Sequence, residues 1–343
     1  MKNAATEKFI QENFAGMAPR DYGDRPAYGP KNLFAQAARR AKIHVSAVGQ
    51  RQVFTYDGRT VGGAEGFLTS LTSVGGERAS FDRKLARRYL SLAGIPIPEG
   101  QVFSTAERDA AQGYAAQMTG PVAIKPRFGE SGLGVSLQVD PAVTFGDAWS
   151  HAEQYDFPNA TGHGGVVVER FHDGLNLRAY VVDEEVVAAV IRVPLFGLGD
   201  GRSTLSDLAQ EADRGRKRNP LLAKFELETA LMPRAEAKAS DPISNVDRIY
   251  WFSPGVNMRL GGLTVDVTDR LDKSLKTLAV DARWAVPGSP VAGVDILAPS
   301  LDSAVDATVL EVDAQASFSI HHYPWSGNGR RVADKVLARM TRD

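Results

Sequence analysis

The sequence has no cysteine among its 343 residues. That excludes disulfides, a thiol nucleophile and thiolate zinc sites, and it fits a reducing compartment. No apolar run approaches the ~20 residues a membrane helix needs, and the opening MKNAATEKFIQENFAG is too polar for a secretory signal. A surplus of either charge is missing as well. Lys and Arg number 40 against 41 Asp and Glu, a formal net charge of -1, so no general positive field points to nucleic acid or an anionic membrane. Histidine is scarce, 6 in all, with no H-x-x-x-H pair of the kind that holds a metal on a helix. What remains is the expectation of a cytoplasmic globular protein acting on small molecules, with no nucleic acid and no membrane.

What is present is ordinary in bulk: 43% hydrophobic and 24% charged residues, with length enough for two or three domains. Residues 1 to about 30 are rich in Pro, Gly and charge and read as a poorly structured lead-in. NLFAQAARRAKI reads as an amphipathic helix, HVSAVG and QVFTY as short strands, with a turn at Asp57-Gly58. The Gly/Ser-rich TSVGGERAS separates this unit from the helix FDRKLARRYLSLAG, which ends at Gly94 before two prolines. Strand, helix and strand follow to Pro126, and from Gly165 consecutive strands dominate, with a hairpin turn at Asp183-Glu184. GLGDGRST leads into a helix that Ser203 or Thr204 caps. A helix over SLKTLAVDARWAV, strands over VAGVDILAP and ATVLEVDA, and a closing helix over GRRVADKVLARM complete an α+β pattern without internal repeat.

Three groups carry candidate chemistry. The first is PVAIKPRFGESGLGVSLQV, a strand bearing Lys125 followed by a loop with Gly129, Gly132 and Gly134. No G-K-[ST] closes it, the glycines have the reverse of the dinucleotide spacing, and Leu133 stands where a hydrolase elbow needs glycine. A hairpin whose N–H groups close over phosphates and a plain hairpin turn both remain open on these residues alone. The second group is acidic. Glu311 and Asp313 share one face of a strand by the period of two, and Asp295 lies on a neighbouring apolar strand. Such hard-oxygen donors suit Mg²⁺ beside substrate phosphates, and solvated or ion-paired carboxylates are the alternative. The third is cationic: Arg178, Arg192 and Arg259, on or beside apolar strands, suit planar recognition of phosphate or carboxylate. The basic run from Arg214 to Arg218 reads as a solvated helix end.

Together and in this order, PVAIKPRFGESGLGVS, VVVERFHDGLNLRAYVV, IRVPLFGLGDGRSTLSDL, RLGGLTVDVTD, VAGVDILAP and LEVDA resemble the ATP-grasp superfamily of carboxylate–amine ligases. The likeness runs from about Ala79 to the C-terminus. It is closest to the ATP-grasp part of cyanophycin synthetase and the bifunctional glutathione synthetases, and more distant to D-alanine–D-alanine ligase. The resemblance implies an α+β ATP-grasp fold, with two lobes holding ATP between mixed or antiparallel sheets. A small N-terminal α/β unit spans 1–79, a small lobe with a glycine-rich lid 80–162, and a second lobe with metal and acyl sites 163–343. It implies ATP contacts from Arg83, Lys125, the Gly129, Ser131, Gly132 and Gly134 lid, the hinge Glu169, Arg170, Phe171 and His172, and Asn176. Arg178, Arg192 and Arg259 would join Lys125 at the transferred phosphate. Asn257, Gly261, Gly262 and His321 would face the substrates, and Asp295, Glu311 and Asp313 would hold two Mg²⁺, with Mn²⁺ as a substitute. The implied reaction joins a small-molecule carboxylate to an amine through an acyl phosphate, by an enzyme that is dimeric in similar cases.

Several positions depart from the pattern. Arg83 stands for a usual lysine, Asn176 for an acid, Asp313 for an asparagine, Ala316-Ser317 for Pro-Gly, and Ser319 for an arginine. The changes at 316–319 touch substrate recognition, so the family's known substrates do not carry over. The sequence ends where cyanophycin synthetase continues into a Mur-ligase-like domain, which argues against cyanophycin synthesis. A dipeptide or peptide-like product fits better. An ATP-grasp kinase, or a nucleotide-binding module without turnover, would use the same residues.

Overall fold

The computed structural model describes residues 3–129, 132–157, 164–227, 245–253 and 255–342. Ser131, expected in the lid, lies outside them. The lead-in is not unstructured. Helix α1 (Ala4–Asn13) is capped by the Asn3 side chain, which accepts from Thr6 N–H, and its stripe of Thr6, Phe9 and Ile10 is buried. Those positions recur at helical spacing, a signal obscured by the Pro/Gly-rich stretch that follows. Helix α2 (Pro30–Arg40) starts with proline in its first turn. Strands β1 (His44–Val48), β2 (Arg51–Tyr56), β3 (Arg59–Glu65) and β4 (Leu68–Thr69) then form an antiparallel sheet in sequence order. Asp57 and Gly58 both take positive φ, as a tight hairpin matched to strand twist requires.

The Gly/Ser-rich passage is also helical, against expectation: α3 covers Val74–Phe81, capped by Ser73. Gly76 in its first turn provides closeness rather than flexibility, since a Cβ there would sit 2.2 Å from Ser289 Oγ. Helix α4 (Arg83–Leu92) follows at once, with Asp82 accepting from Lys84 and Leu85 N–H groups.

The small lobe is a four-stranded antiparallel sheet. Its strands are β5 (Gly100–Phe103), β6 (Val122–Pro126), β7 (Ser136–Val139) and β8 (Val166–Arg170), in the order β5-β8-β6-β7. Val122, Ile124, Val166 and Val168 pack one face against α5 (Arg108–Gln117) and α6 (Phe145–Gln154). Alternation turns Lys125 and Glu169 to the opposite face. Because β8 pairs with both β5 and β6, this lobe runs past the expected boundary at 162.

The large sheet has five antiparallel strands in the order β13-β10-β9-β14-β15. They are β9 (Leu175–Val182), β10 (Glu185–Val193), β13 (Leu263–Asp266), β14 (Val291–Ala298) and β15 (Thr308–Asp313). A two-stranded ribbon, β11 (Phe196–Leu198) with β12 (Ile249–Trp251), is separate. Leu177, Ala179, Val181, Val294 and Ile296 fill the core shared with α8 (Lys273–Ala285). The reverse face of β9 and β14 therefore presents Asn176, Arg178, Tyr180 and Asp295. Helix α7 (Leu205–Lys217) is capped by Thr204, reciprocally with Asp207. Its expected solvated end is partly wrong. Arg216 is fully buried, donating to Asp213 and to the Leu222 and Phe225 carbonyls. After the short α9 (Ser319–His322), helix α10 (Val332–Met340) packs beside α2, in a core containing Phe54, Tyr180 and Phe318. The N-terminal unit and the chain's last helix thus share one core.

Among the described residues no helix is long and apolar enough to cross a membrane. Because Ile10 is fully buried, Ile10→Ala should lower unfolding free energy by about 2–4 kcal/mol in urea titration. A loss under ~0.5 kcal/mol, the range of surface changes, would show that α1 contributes nothing to the fold.

Candidate active site

Strand β6 carries Lys125 as its penultimate residue, whose ammonium meets the Glu169 carboxylate on β8. Glu169 also accepts from Arg87 Nη1 at 2.7 Å, and Arg87 Nη2 donates to the Pro98 and Gly100 carbonyls. Sequence reading missed Arg87. Its signal was the position one helical turn beyond Arg83. Beyond β6, Arg127 forks onto Asp82 at 2.9 and 2.7 Å, while Arg83 donates to the Pro126 carbonyl at 2.8 Å. Asp156 accepts from the Phe128 and Gly165 N–H groups, both at 2.7 Å. The glycine loop is therefore anchored at its base. Gly132 lies with its Cα open to the second lobe, where a Cβ would stand 3.7 Å from Asn257 Nδ2.

The large sheet supplies a denser charge field. Arg178 donates to Asp295 through Nε at 2.5 Å and Nη2 at 2.7 Å, and Nη2 also reaches Glu311 at 3.0 Å. Asp313 lies 3.9 Å from Nη1. Arg192 Nη2 donates to the second Asp295 oxygen at 2.7 Å, and its Nε donates to Asn176 Oδ1 at 2.5 Å. Register explains the convergence: Asp295 lies opposite Arg178 on one side and Glu311 on the other, and Arg192 opposite Asn176. A bulge between Asp295 and Ile296 resets the phase of β15. Burial alone would push the Asp295 carboxyl up, but the two guanidiniums hold it below the usual range. The Arg178 guanidinium is held above its ordinary value, because Asp295 and the other acids outweigh its burial. Asp313 goes the other way, pushed up to about 6 by burial.

Asp295, Glu311 and Asp313 are thus brought together, as expected, but around an arginine. Among the described residues no group of three or more His, Asp or Glu side chains is arranged to hold a metal ion. Both Asp295 oxygens already accept guanidinium N–H groups. Glu311 and Asp313, on one strand face, retain the donor chemistry that suits a hard cation.

The loop expected near the reacting carboxylate has a defined shape. Asn257 accepts from Arg259 N–H at 2.9 Å, and Gly261 turns with φ +95°. Gly262 admits no side chain, since a Cβ would lie 2.0 Å from the Val256 carbonyl oxygen. The exposed Arg259 guanidinium stacks 5.7 Å from the Phe225 ring centre. His321 does not line an open site. It is wholly buried, neither ring nitrogen has a hydrogen-bond partner among the described residues, and its ring meets Tyr180 edge-on at 5.8 Å. Burial holds its pKa well below 6.5.

Between the two charge fields lies a cavity of ≈ 130 Å³ lined by Lys125, the hinge Glu169–His172 and Asn176. Its remaining wall is largely apolar: Ala123, Leu137, Trp251, Val256, Leu297 and Leu310. Sites enclosing a whole drug-sized ligand run to ~300–1,000 Å³. This one has room for a flat ring and not for a whole ligand of that size. Asn3 and Thr6 of α1 also reach it, which the sequence did not suggest.

Residues 82–188 match the family described as carbamoyl-phosphate synthase L chain, ATP binding domain. With the two lobes and the anchored loop between them, the chain has the ATP-grasp fold. In sequence it is similar to part of two longer proteins. It is 28% identical to cyanophycin synthetase of Trichormus variabilis over 281 residues, which is 79% of this chain and 30% of that protein. It is 27% identical over 267 residues to the glutathione biosynthesis bifunctional protein GshAB of Enterococcus faecalis, 75% of this chain and 34% of that one. A bifunctional glutathione synthetase from Pasteurella multocida shares the fold with a TM-score of 0.64 at 22% identity, over 90% of this chain and 44% of that structure. The chain therefore spans about a third of the length of the relatives it matches in sequence.

Burial lowers the His322 pKa from 6.5 to about 4. Above pH 6.5 the ring is neutral in both folded and unfolded chains. Between 6.5 and 4 only the unfolded chain takes the proton, so stability is lost as pH falls through that window. Asp313 has the opposite sign, being raised in the fold, so the test is a difference between two proteins. From about pH 7 to about pH 5, wild type should lose about 2 kcal/mol more unfolding free energy than His322→Asn. Parallel pH profiles would show that His322 is not held neutral.

Proposed function

We propose that this chain is an ATP-dependent ligase that joins a carboxylate to an amine, releasing ADP and phosphate, with a dipeptide or peptide-like product. The observation that carries this reading is the opposition of an apolar slot ending at Lys125 to the Arg178 and Arg192 field, across an anchored glycine loop. The relatives named as synthetases support it for the corresponding part of their length.

A carboxylate is a poor partner for an amine because its leaving group is oxide or hydroxide. A carboxylate oxygen therefore attacks the γ-phosphorus of ATP, the bond to the bridging oxygen breaks, and ADP departs. The amine then attacks the carbonyl carbon of the acyl phosphate, inorganic phosphate leaves, and the nitrogen gives up a proton. In the first step positioning and charge neutralisation dominate. Lys125 binds phosphate oxygens, while Arg192, fixed by Asn176 and Asp295, and Arg178 beside it offset the charge developing on the transferred group. Glu311 and Asp313 would hold magnesium, which when bound supplies positive charge at the phosphate oxygens. Arg259 and the loop from Asn257 to Gly262 face the acyl group, and the glycine loop excludes the water that would hydrolyse it. The enclosed and weakly basic His321 does not take the amine proton.

Glu311→Gln should abolish ADP release in a pairwise screen of amino acids and peptides, with the unfolding transition unchanged. Retained turnover would remove Glu311 from the metal. Lys125→Ala should raise the KM for ATP and lower kcat, and an unaltered ATP response would end that assignment. In the same screen, mass detection should find an amide. A stable phosphorylated product would make the enzyme a kinase instead.

A further inference from the structure

Building on the nucleotide reading, we infer that helix α1 is a strap that fixes the nucleotide hinge, with Asn3 as its positioning residue. Two hydrogen bonds join the two, and a third steadies the residues they reach. Asn3 Nδ2 donates to the Gly174 carbonyl at 2.9 Å, and Ala4 N–H donates to Asp173 Oδ2 at 3.2 Å. Asp173 Oδ1 in turn accepts from Gly174 N–H at 2.9 Å. Gly174 joins the hinge to β9, and it is held from the other side by β14, since a Cβ there would sit 3.1 Å from Ala298 N. Residues 173–174 are thus clamped between α1 and the sheet.

The strap reaches the cavity itself. Asn3 and Thr6 share its wall with Phe171, His172 and Gly174. Thr6 lies on the same helix face as Phe9 and Ile10, which are 4% and 0% exposed in the core of the large lobe. The buried stripe therefore anchors the helix, and its first turn is left against the hinge. One side chain does two jobs there: Asn3 Oδ1 caps the helix by accepting from Thr6 N–H at 2.7 Å, and Asn3 Nδ2 holds Gly174. A hinge loosened at Gly174 would cost nucleotide affinity without touching the acyl or amine sites.

The two jobs can be separated. Asn3→Asp keeps the cap oxygen, a good one at a helix start, but loses the donor to Gly174. Asn13→Ala, at the far end of α1, removes contacts to Phe9 and Arg270 without approaching the hinge. With ADP and magnesium as the probe in calorimetry on the full chain, Asn3→Asp and Asn3→Ala should bind roughly five- to tenfold more weakly than wild type. Asn13→Ala should bind as wild type does. In turnover the Asn3 variants should raise the KM for ATP alone, with Asn3→Asp keeping the wild-type melting temperature. Unchanged ADP binding in both Asn3 variants overturns the strap while leaving the nucleotide site intact. Equal weakening in Asn13→Ala overturns it too, since that is the mark of a merely structural helix. Absence of ADP binding by wild type overturns the nucleotide reading and the strap with it.

Discussion

The structure of this protein turns on one buried guanidinium. Arg178 stands in the middle of the large sheet, 8% exposed, where an unpaired cation would cost several kcal/mol. Asp295 meets it with a two-point fork from the adjoining strand, and that same carboxylate holds Arg192. One acid thus orients two arginines, and the others are placed by this arrangement. Asn176 is drawn to Arg192, while Glu311 and Asp313 gather at the far side of Arg178. Asp295, Glu311, Asn176 and the two arginines form one connected hydrogen-bond network, and such a network specifies a geometry. With Asp313, the cluster holds three carboxylates against two guanidiniums.

The small lobe repeats the device at lower density. Glu169 holds Lys125 and Arg87 together, and Arg87 reaches back to the carbonyls at the start of β5. The two charged faces are joined by the segment after β8, beside a slot whose wall is largely apolar and includes Lys125. The charged groups lie on strands, whose register is pinned by buried alternation.

Much of this was legible in the chain. Alternation in LEVDA assigned Glu311 and Asp313 to one face of a strand, because a strand's side-chain period is two, and the apolar runs around Lys125 and Arg178 marked them as strand residues. Asp57-Gly58 and Asp183-Glu184 marked hairpins by turn chemistry, and the structure has them. Where local signals conflicted, the reading failed. Gly75 and Gly76 read as a linker but sit in a helix whose first turn lies against Ser289. Arg216 read as solvated, yet its fork satisfies an acid and two carbonyls inside the fold. Composition carries no record of such partners, which lie on the return of the chain.

The sequence by itself determined the kinds of group and the faces on which they stand: a lysine on a strand before a glycine loop, arginines among apolar residues, acids two apart. These depend on local periodicity and turn preference alone. Only the tertiary structure decided what each group meets. It turned Asp295 toward two arginines, enclosed His321 beside Tyr180, and brought Asn3 to a hinge 171 residues away. Pairing of that kind is set by sheet order and by the competition of buried charges for partners, a property of the whole packed chain.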